Sequence, residues 1–115
     1  MDTNSLTMLV ALGGLFATFW YLKRPDIRGG DARALVADGA RLVDVRSAGE
    51  FRAGHIDKAR NLPIGELARR MSELGQKDRP VIVYCASGAR SAAAKRVLKR
   101  AGFTRVYNLG AMSNW

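Results

Sequence analysis

Seventeen consecutive residues without a charge, Leu6 to Leu22 (LTMLVALGGLFATFWYL), constrain this chain more than any other feature. Apolar side chains fall on every side of a helix wound from them, leaving no polar face for water, as a surface helix would need. Such a helix spans about 25 Å, slightly under a hydrocarbon core of roughly 30 Å. Thr3 and Ser5 can extend it, Trp20 and Tyr21 sit where an interfacial aromatic belt belongs, and Lys23 and Arg24 stop it. A cleavable signal peptide should open with basic residues and close on small ones, whereas this run follows Met1-Asp2 and ends in Phe19-Trp20-Tyr21. A buried helix of a soluble fold would need neighbours that enclose it completely. The run therefore predicts a transmembrane anchor over residues 6–22, with the lipid bilayer as its partner. Lys23, Arg24 and Arg28 flank its C-terminal side, against only Asp2 and the terminal amine on the other. The positive-inside rule then puts the N-terminus outside the inner (plasma) membrane and the rest of the chain in the cytoplasm.

Beyond the anchor only residues 23–115 remain, enough for one modest core. All 19 Lys and Arg lie there with nine of the ten acids, so this part carries a charge of +10. Charge of that sign attracts anionic lipid, nucleic acid or small anions without selecting among them. Lys95, Arg96, Lys99 and Arg100 form a basic face without interleaved aromatics, which reads as solvated, and no nucleic-acid partner is expected. A lone cysteine, Cys85, excludes an internal disulfide, and with a single histidine leaves too few soft ligands for an ordinary zinc site. No metal and no cofactor are expected. A single thiol suits a reducing compartment, where it stays reactive.

Residues 23–30 read as a linker, PDIRGG marking the break. The domain proper is expected over 31–115. Asp31 is placed to cap a helix running to about Ala37, with Gly39 as its stop. Arg41 to Val45 reads as a buried strand, and Ser47 with Glu50 has capping-box spacing for a short helix. Ala59 to Leu62 is a second short strand. Gly65 to Leu74 is helical, with Leu67, Met71 and Leu74 on one face. Val81 to Tyr84, β-branched and apolar, is the clearest strand; a helix over Gly88 to Ala101 and a strand over Arg105 to Asn108 follow. Alternating strands and helices predict an α/β fold: a small parallel sheet flanked by helices and preceded by one transmembrane helix.

Sites in open α/β sheets form beyond the carboxyl ends of the strands. The strand Val81 to Tyr84 runs into Cys85-Ala-Ser-Gly-Ala-Arg90-Ser91, where a helix begins. Small residues at 86 to 89 let the backbone curl so that successive N–H groups point inward at one anion, with a helix N-terminus behind them. The same donors stabilise a thiolate, and Arg90 adds a fixed charge with paired donors for an oxyanion. A buried cysteine at a strand end is the plainer alternative. The loop, the following helix and Arg90 together favour a reactive site.

These residues carry a resemblance. LVDVRSAGEFRAGHIDKARNLP (42–63) resembles the opening signature of the rhodanese family, VIVYCASGARS (81–91) its active-site strand and loop, and VYNLGAMSNW (106–115) its closing segment. The resemblance implies a sulfurtransferase in which Cys85 takes a sulfane sulfur from an anionic donor such as thiosulfate, holds it as a persulfide, and passes it to a thiol or cyanide. It also implies that the backbone of Ala86, Ser87, Gly88, Ala89 and Arg90 forms the cradle, and that Arg90 helps bind the donor. Asp44 and Arg46 match the family's supporting pair and read as structural. Glu50 and His55 match its EF and GHI positions, His55 as a turn-stabilising residue. Ala86 departs from the family pattern, where many members carry a basic residue, and Lys58 stands at a position usually given to glycine.

Two other functions fit the same loop. In one, Cys85 is a persulfide carrier or interaction module serving a partner protein. In the other, the chain is a cysteine phosphatase sharing the fold; such loops place arginine six residues after the nucleophile, whereas here position 91 is serine and Arg90 comes five after.

Overall fold

The computed structural model describes residues 13–18, 20, 21 and 23–115. Residues 6–12, 19 and 22 of the predicted anchor lie outside the described residues. The described part of that stretch is helical, and Leu15, Phe16, Trp20 and Tyr21 are all exposed. Among the described residues no helix is long and apolar enough to cross a membrane.

The domain runs α1 (Gly29–Ala37), β1 (Arg41–Asp44), α2 (Ala48–Ala53), β2 (Arg60–Asn61), α3 (Leu67–Arg70), a 3-10 turn (Met71–Leu74), β3 (Val81–Cys85), α4 (Ala89–Arg100), β4 (Val106–Ala111) and a closing 3-10 turn (Met112–Asn114). The four strands form one parallel sheet in the order β2-β1-β3-β4. Side chains alternate across it, as the two-residue period of a strand demands. Val43, Val81, Val83 and Cys85 pack on one face with Leu67, Leu74, Ala94 and Leu98. Leu42, Ile82, Tyr84 and Leu109 pack on the other with Ala32 and Ile56. The predicted α/β architecture, a parallel sheet between helices, is therefore observed. All five residues of β3 are buried, which explains their unbroken apolarity.

Three local expectations differ. Asp31 lies in the first turn of α1 rather than at its cap, a position held by Arg28 in extended conformation. Gly29 and Gly30 thus belong to the helix, and Gly29 is there because its backbone abuts the carbonyls of Asn114 and Trp115, where a side chain would not fit. The helix expected over 65–74 is one α turn followed by a 3-10 turn. Tighter winding aligns residues three apart, stacking partly buried Met71 over fully buried Leu74. Finally, β4 continues to Ala111 because Gly110 (φ +83°) makes a bulge: Asn108 pairs with Val83 and Gly110 with Tyr84, Leu109 being the extra residue.

Lys58 is a non-glycine residue with positive φ, +70°. An L-residue held there costs roughly 1–2 kcal/mol, part of which glycine would return to unfolded-chain entropy. Lys58→Gly is expected to stabilise the domain by up to about 1 kcal/mol in denaturant unfolding.

Candidate active site

β3 delivers Cys85 to the carboxyl edge of the sheet with its side chain fully buried. The chain then turns through Gly88, which caps α4 at φ +100°, so the first amides of a twelve-residue helix face back toward the sulfur. The Gly88 N–H donates to Cys85 Sγ at 3.0 Å and the Ser91 N–H at 3.4 Å. The thiol donates to Ser91 Oγ at 3.4 Å, while that hydroxyl donates to the Gly88 carbonyl at 3.1 Å. Once the thiol has lost its proton, the hydroxyl hydrogen can rotate onto the sulfur. Burial pushes the Cys85 thiol up, but the Ser91 hydroxyl and the amides of Ser91, Gly88 and Ser87 outweigh it, so its pKa lies below that of an ordinary thiol. Ser91→Ala removes the largest of those stabilising contacts; the pH midpoint for alkylation of Cys85 is expected to move upward, read from iodoacetamide rates across pH.

Gly88 cannot be replaced cheaply. Its φ is one that L-residues avoid, and a Cβ there would lie 2.8 Å from the carbonyl oxygen of Lys23. The segment leading into the domain thus packs on the loop that follows Cys85. Its next residues are tied down as well: Pro25 abuts Gly110, Asp26 N–H donates to the Asn108 carbonyl at 2.9 Å, Asn108 N–H donates to Asp26 Oδ1 at 2.6 Å, and Lys95 of α4 pairs with Asp26. Gly88→Ala is expected to cost about 1–3 kcal/mol in denaturant unfolding and to slow Cys85 alkylation by displacing the loop amides.

Asp44 and Arg46 form a buried pair beside the loop. Arg46 Nη2 lies 2.7 Å from Asp44 Oδ2, Nε lies 3.0 Å from Oδ1, and the Arg46 N–H donates to Oδ1 at 2.9 Å. Arg46 Nη2 also donates to the Gly54 carbonyl at 2.7 Å, and Asn61 Nδ2 donates to the carbonyls of Asp44 and Arg46, both at 3.0 Å. The pair ties the β1 end to the turn after α2 and to β2. His55 is exposed, stacks on Phe51 with ring centres 3.6 Å apart, and has Nδ1 2.8 Å from the Phe51 carbonyl. It stabilises that turn.

The profile of the rhodanese-like domain matches residues 30–115. The chain belongs to the rhodanese family. Its rhodanese domain is 43% identical over 77 residues to the uncharacterized protein YqhL of Bacillus subtilis, covering 66% of this chain and 60% of that one. It is 39% identical over 80 residues to the thiosulfate sulfurtransferase GlpE of Shewanella oneidensis, covering 69% and 78%. The fold matches a rhodanese from E. coli solved with anions at a TM-score of 0.64 and 31% identity, over 67% of this chain and 92% of that one.

Within this rhodanese domain the predicted cradle residues occupy unlike settings. Gly88 is buried against the sulfur, Ala86, Ser87 and Ala89 are exposed, and Arg90 is half-buried. Two contributions escaped sequence reasoning. Ser91 supplies both an amide and a hydroxyl to Cys85; its place in the first turn of a helix that starts beside the thiol was the available signal. Glu50 grips Arg90, with Nη1 2.7 Å from Oε1 and Nη2 2.9 Å from Oε2. Glu50 also completes the predicted capping box: its backbone N–H donates to Ser47 Oγ and its Oε1 accepts from the Ser47 N–H. Arg90 and the Ser47 amide hold the Glu50 carboxyl down at about 2, so it is ionised at any working pH.

Proposed function

We propose that the protein is a membrane-anchored sulfurtransferase that moves a sulfane sulfur from an anionic donor such as thiosulfate to a thiol or cyanide through a Cys85 persulfide. The single observation that carries this reading is the thiol at a helix N-terminus, bonded by two amides and one hydroxyl and displaced toward its ionised form. Membership of the rhodanese family supports it. The Cys85 thiolate attacks the sulfane sulfur; a new S–S bond forms, the donor's S–S bond breaks, and its electron pair leaves with sulfite. The acceptor thiolate or cyanide then attacks the outer sulfur and returns Cys85 as thiolate. No separate general base is invoked, because the loop donors lower the pKa of the thiol itself. The amides then hold a persulfide anion as they held the thiolate.

Phosphoryl chemistry fits this loop less well. A phosphatase would place arginine where Ser91 lies, and Ser91 is fully buried against the sulfur. Phosphoryl transfer depends on donors set around three equatorial oxygens, so that replacement is costly there. Assays with thiosulfate and cyanide should show turnover to thiocyanate, with aryl phosphate hydrolysis at background. Cys85-dependent phosphate hydrolysis without thiosulfate turnover would overturn the reading. The alternative role, a carrier that accepts its persulfide from a partner protein, would show no turnover with thiosulfate and cyanide.

The anchor belongs to the same proposal. Its support is the uncharged run Leu6 to Leu22, the exposure of Leu15, Phe16, Trp20 and Tyr21, and the basic residues after them. The orientation puts the N-terminus outside and the domain in the cytoplasm. The full chain is expected to sediment with membranes and resist carbonate extraction, and a chain starting near Asp26 to be soluble. Digestion of the domain by protease added outside intact cells would refute the orientation.

A further inference from the structure

Arg90 is the arginine that the loop offers to an anionic donor, and each of its terminal nitrogens already gives one N–H to the carboxylate of Glu50. The remaining loop side chains, Ala86, Ser87 and Ala89, carry no charge. The other arginine beside the loop, Arg46, is likewise committed to a carboxylate, that of Asp44. Among these side chains, a donor approaching Cys85 therefore meets a Glu50–Arg90 pair of no net charge, and the loop's backbone amides are the donors left to it. Thiosulfate brings two negative charges to that place, with a carboxylate already in possession of the guanidinium.

From this geometry we infer that Glu50 is a specificity-determining residue: its carboxylate selects against dianionic sulfane donors and in favour of those carrying a single negative charge or none, such as persulfides and thiosulfonates. The inference rests on the sulfurtransferase reading above and narrows its donor. With a persulfide donor in its neutral form the step balances as it does with thiosulfate. The Cys85 thiolate bonds to the outer sulfur of R–S–SH, the donor's S–S bond breaks, and R–S⁻ leaves with its electron pair. Glu50 does not touch the reacting atoms; it acts through Arg90 and through its own field. α2 fixes it there, since the capping box holds the same carboxylate from the other side.

Glu50→Gln separates the charge from the scaffold, because glutamine at this position of a capping box still reaches back to the cap amide. Methanethiosulfonate and thiosulfate make a matched pair of probes: each has a sulfane sulfur bonded to an oxidised sulfur, and they differ by one negative charge. With cyanide as acceptor and the full chain in detergent, Glu50→Gln is expected to raise kcat/KM for thiosulfate by about fivefold, the scale of one partly exposed charge pair. Methanethiosulfonate, with half the charge, should gain only about twofold. Glu50→Ala, which loses the capping box as well, should shift the ratio of the two donors in the same direction even if its stability falls. Equal factors for both donors, or a fall for thiosulfate relative to methanethiosulfonate, would overturn the role given to Glu50 while leaving the sulfurtransferase standing. Failure of both donors to add sulfur to Cys85 in the unmodified protein would overturn the sulfurtransferase reading itself.

Discussion

Cys85→Ser is expected to fold as the parent does and to lose sulfur transfer down to background, measured as thiocyanate formed from thiosulfate and cyanide. Serine is nearly the same size, and Ser91 can accept a hydrogen bond from a hydroxyl as it does from the thiol. The core around position 85 therefore loses little. Reactivity falls for a different reason. Two amides and a hydroxyl stabilise an anion at this position; they lower the pKa of a thiol, whereas an alcohol starts far too high for them to ionise it. Among the described residues no base contacts position 85 to take the proton, so the serine stays neutral and unreactive. Substantial activity in this variant would mean that sulfur travels by a route avoiding Cys85.

Arg46→Ala should have the largest effect on stability. It leaves Asp44, which is fully buried, without the guanidinium that gives it three side-chain hydrogen bonds, and it frees the Gly54 carbonyl as well. An uncompensated buried charge of this kind costs about 3–5 kcal/mol. That is a large share of the roughly 5–15 kcal/mol by which domains are stable, and in a domain this small it lowers Tm by more than about 10 °C. The double variant Asp44→Leu with Arg46→Met removes both charges and should recover most of the loss. Thermal unfolding of the two proteins side by side checks the argument. A single variant as stable as its parent would show that the pair contributes nothing net.

What the sequence reveals, and what it hides, follows from how far apart the interacting residues lie. Val81 to Tyr84 is legible as a strand because burial on both faces demands an unbroken apolar run. The capping box of Ser47 and Glu50 is legible because its partners are three residues apart. Cys85 stands out as a nucleophile because strand, small-residue loop and helix are contiguous. The grip of Glu50 on Arg90 joins residues 40 positions apart, and no local spacing announces it. Glu50 even looks already employed, since the capping box accounts for it. The packing of Lys23 over Gly88 is hidden in the same way: PDIRGG has the composition of a free linker, yet Asp26 pairs with β4 and Gly29 opens a helix. The bulge at Gly110 reads as a strand end when only the glycine is seen. Pairing with β3 carries the strand through it. Residues 65–74 mislead by degree: their apolar face is placed correctly, but periodicity cannot tell an α turn from a 3-10 turn over so short a run.

The central claim is that Cys85 carries sulfur as a persulfide. Intact-mass measurement of the full chain after brief exposure to thiosulfate tests it without any acceptor or assay of turnover. The expected result is the gain of one sulfur atom, mapped to Cys85, removed by cyanide and absent from Cys85→Ser. An unchanged mass in the parent, or the same gain in Cys85→Ser, would contradict it.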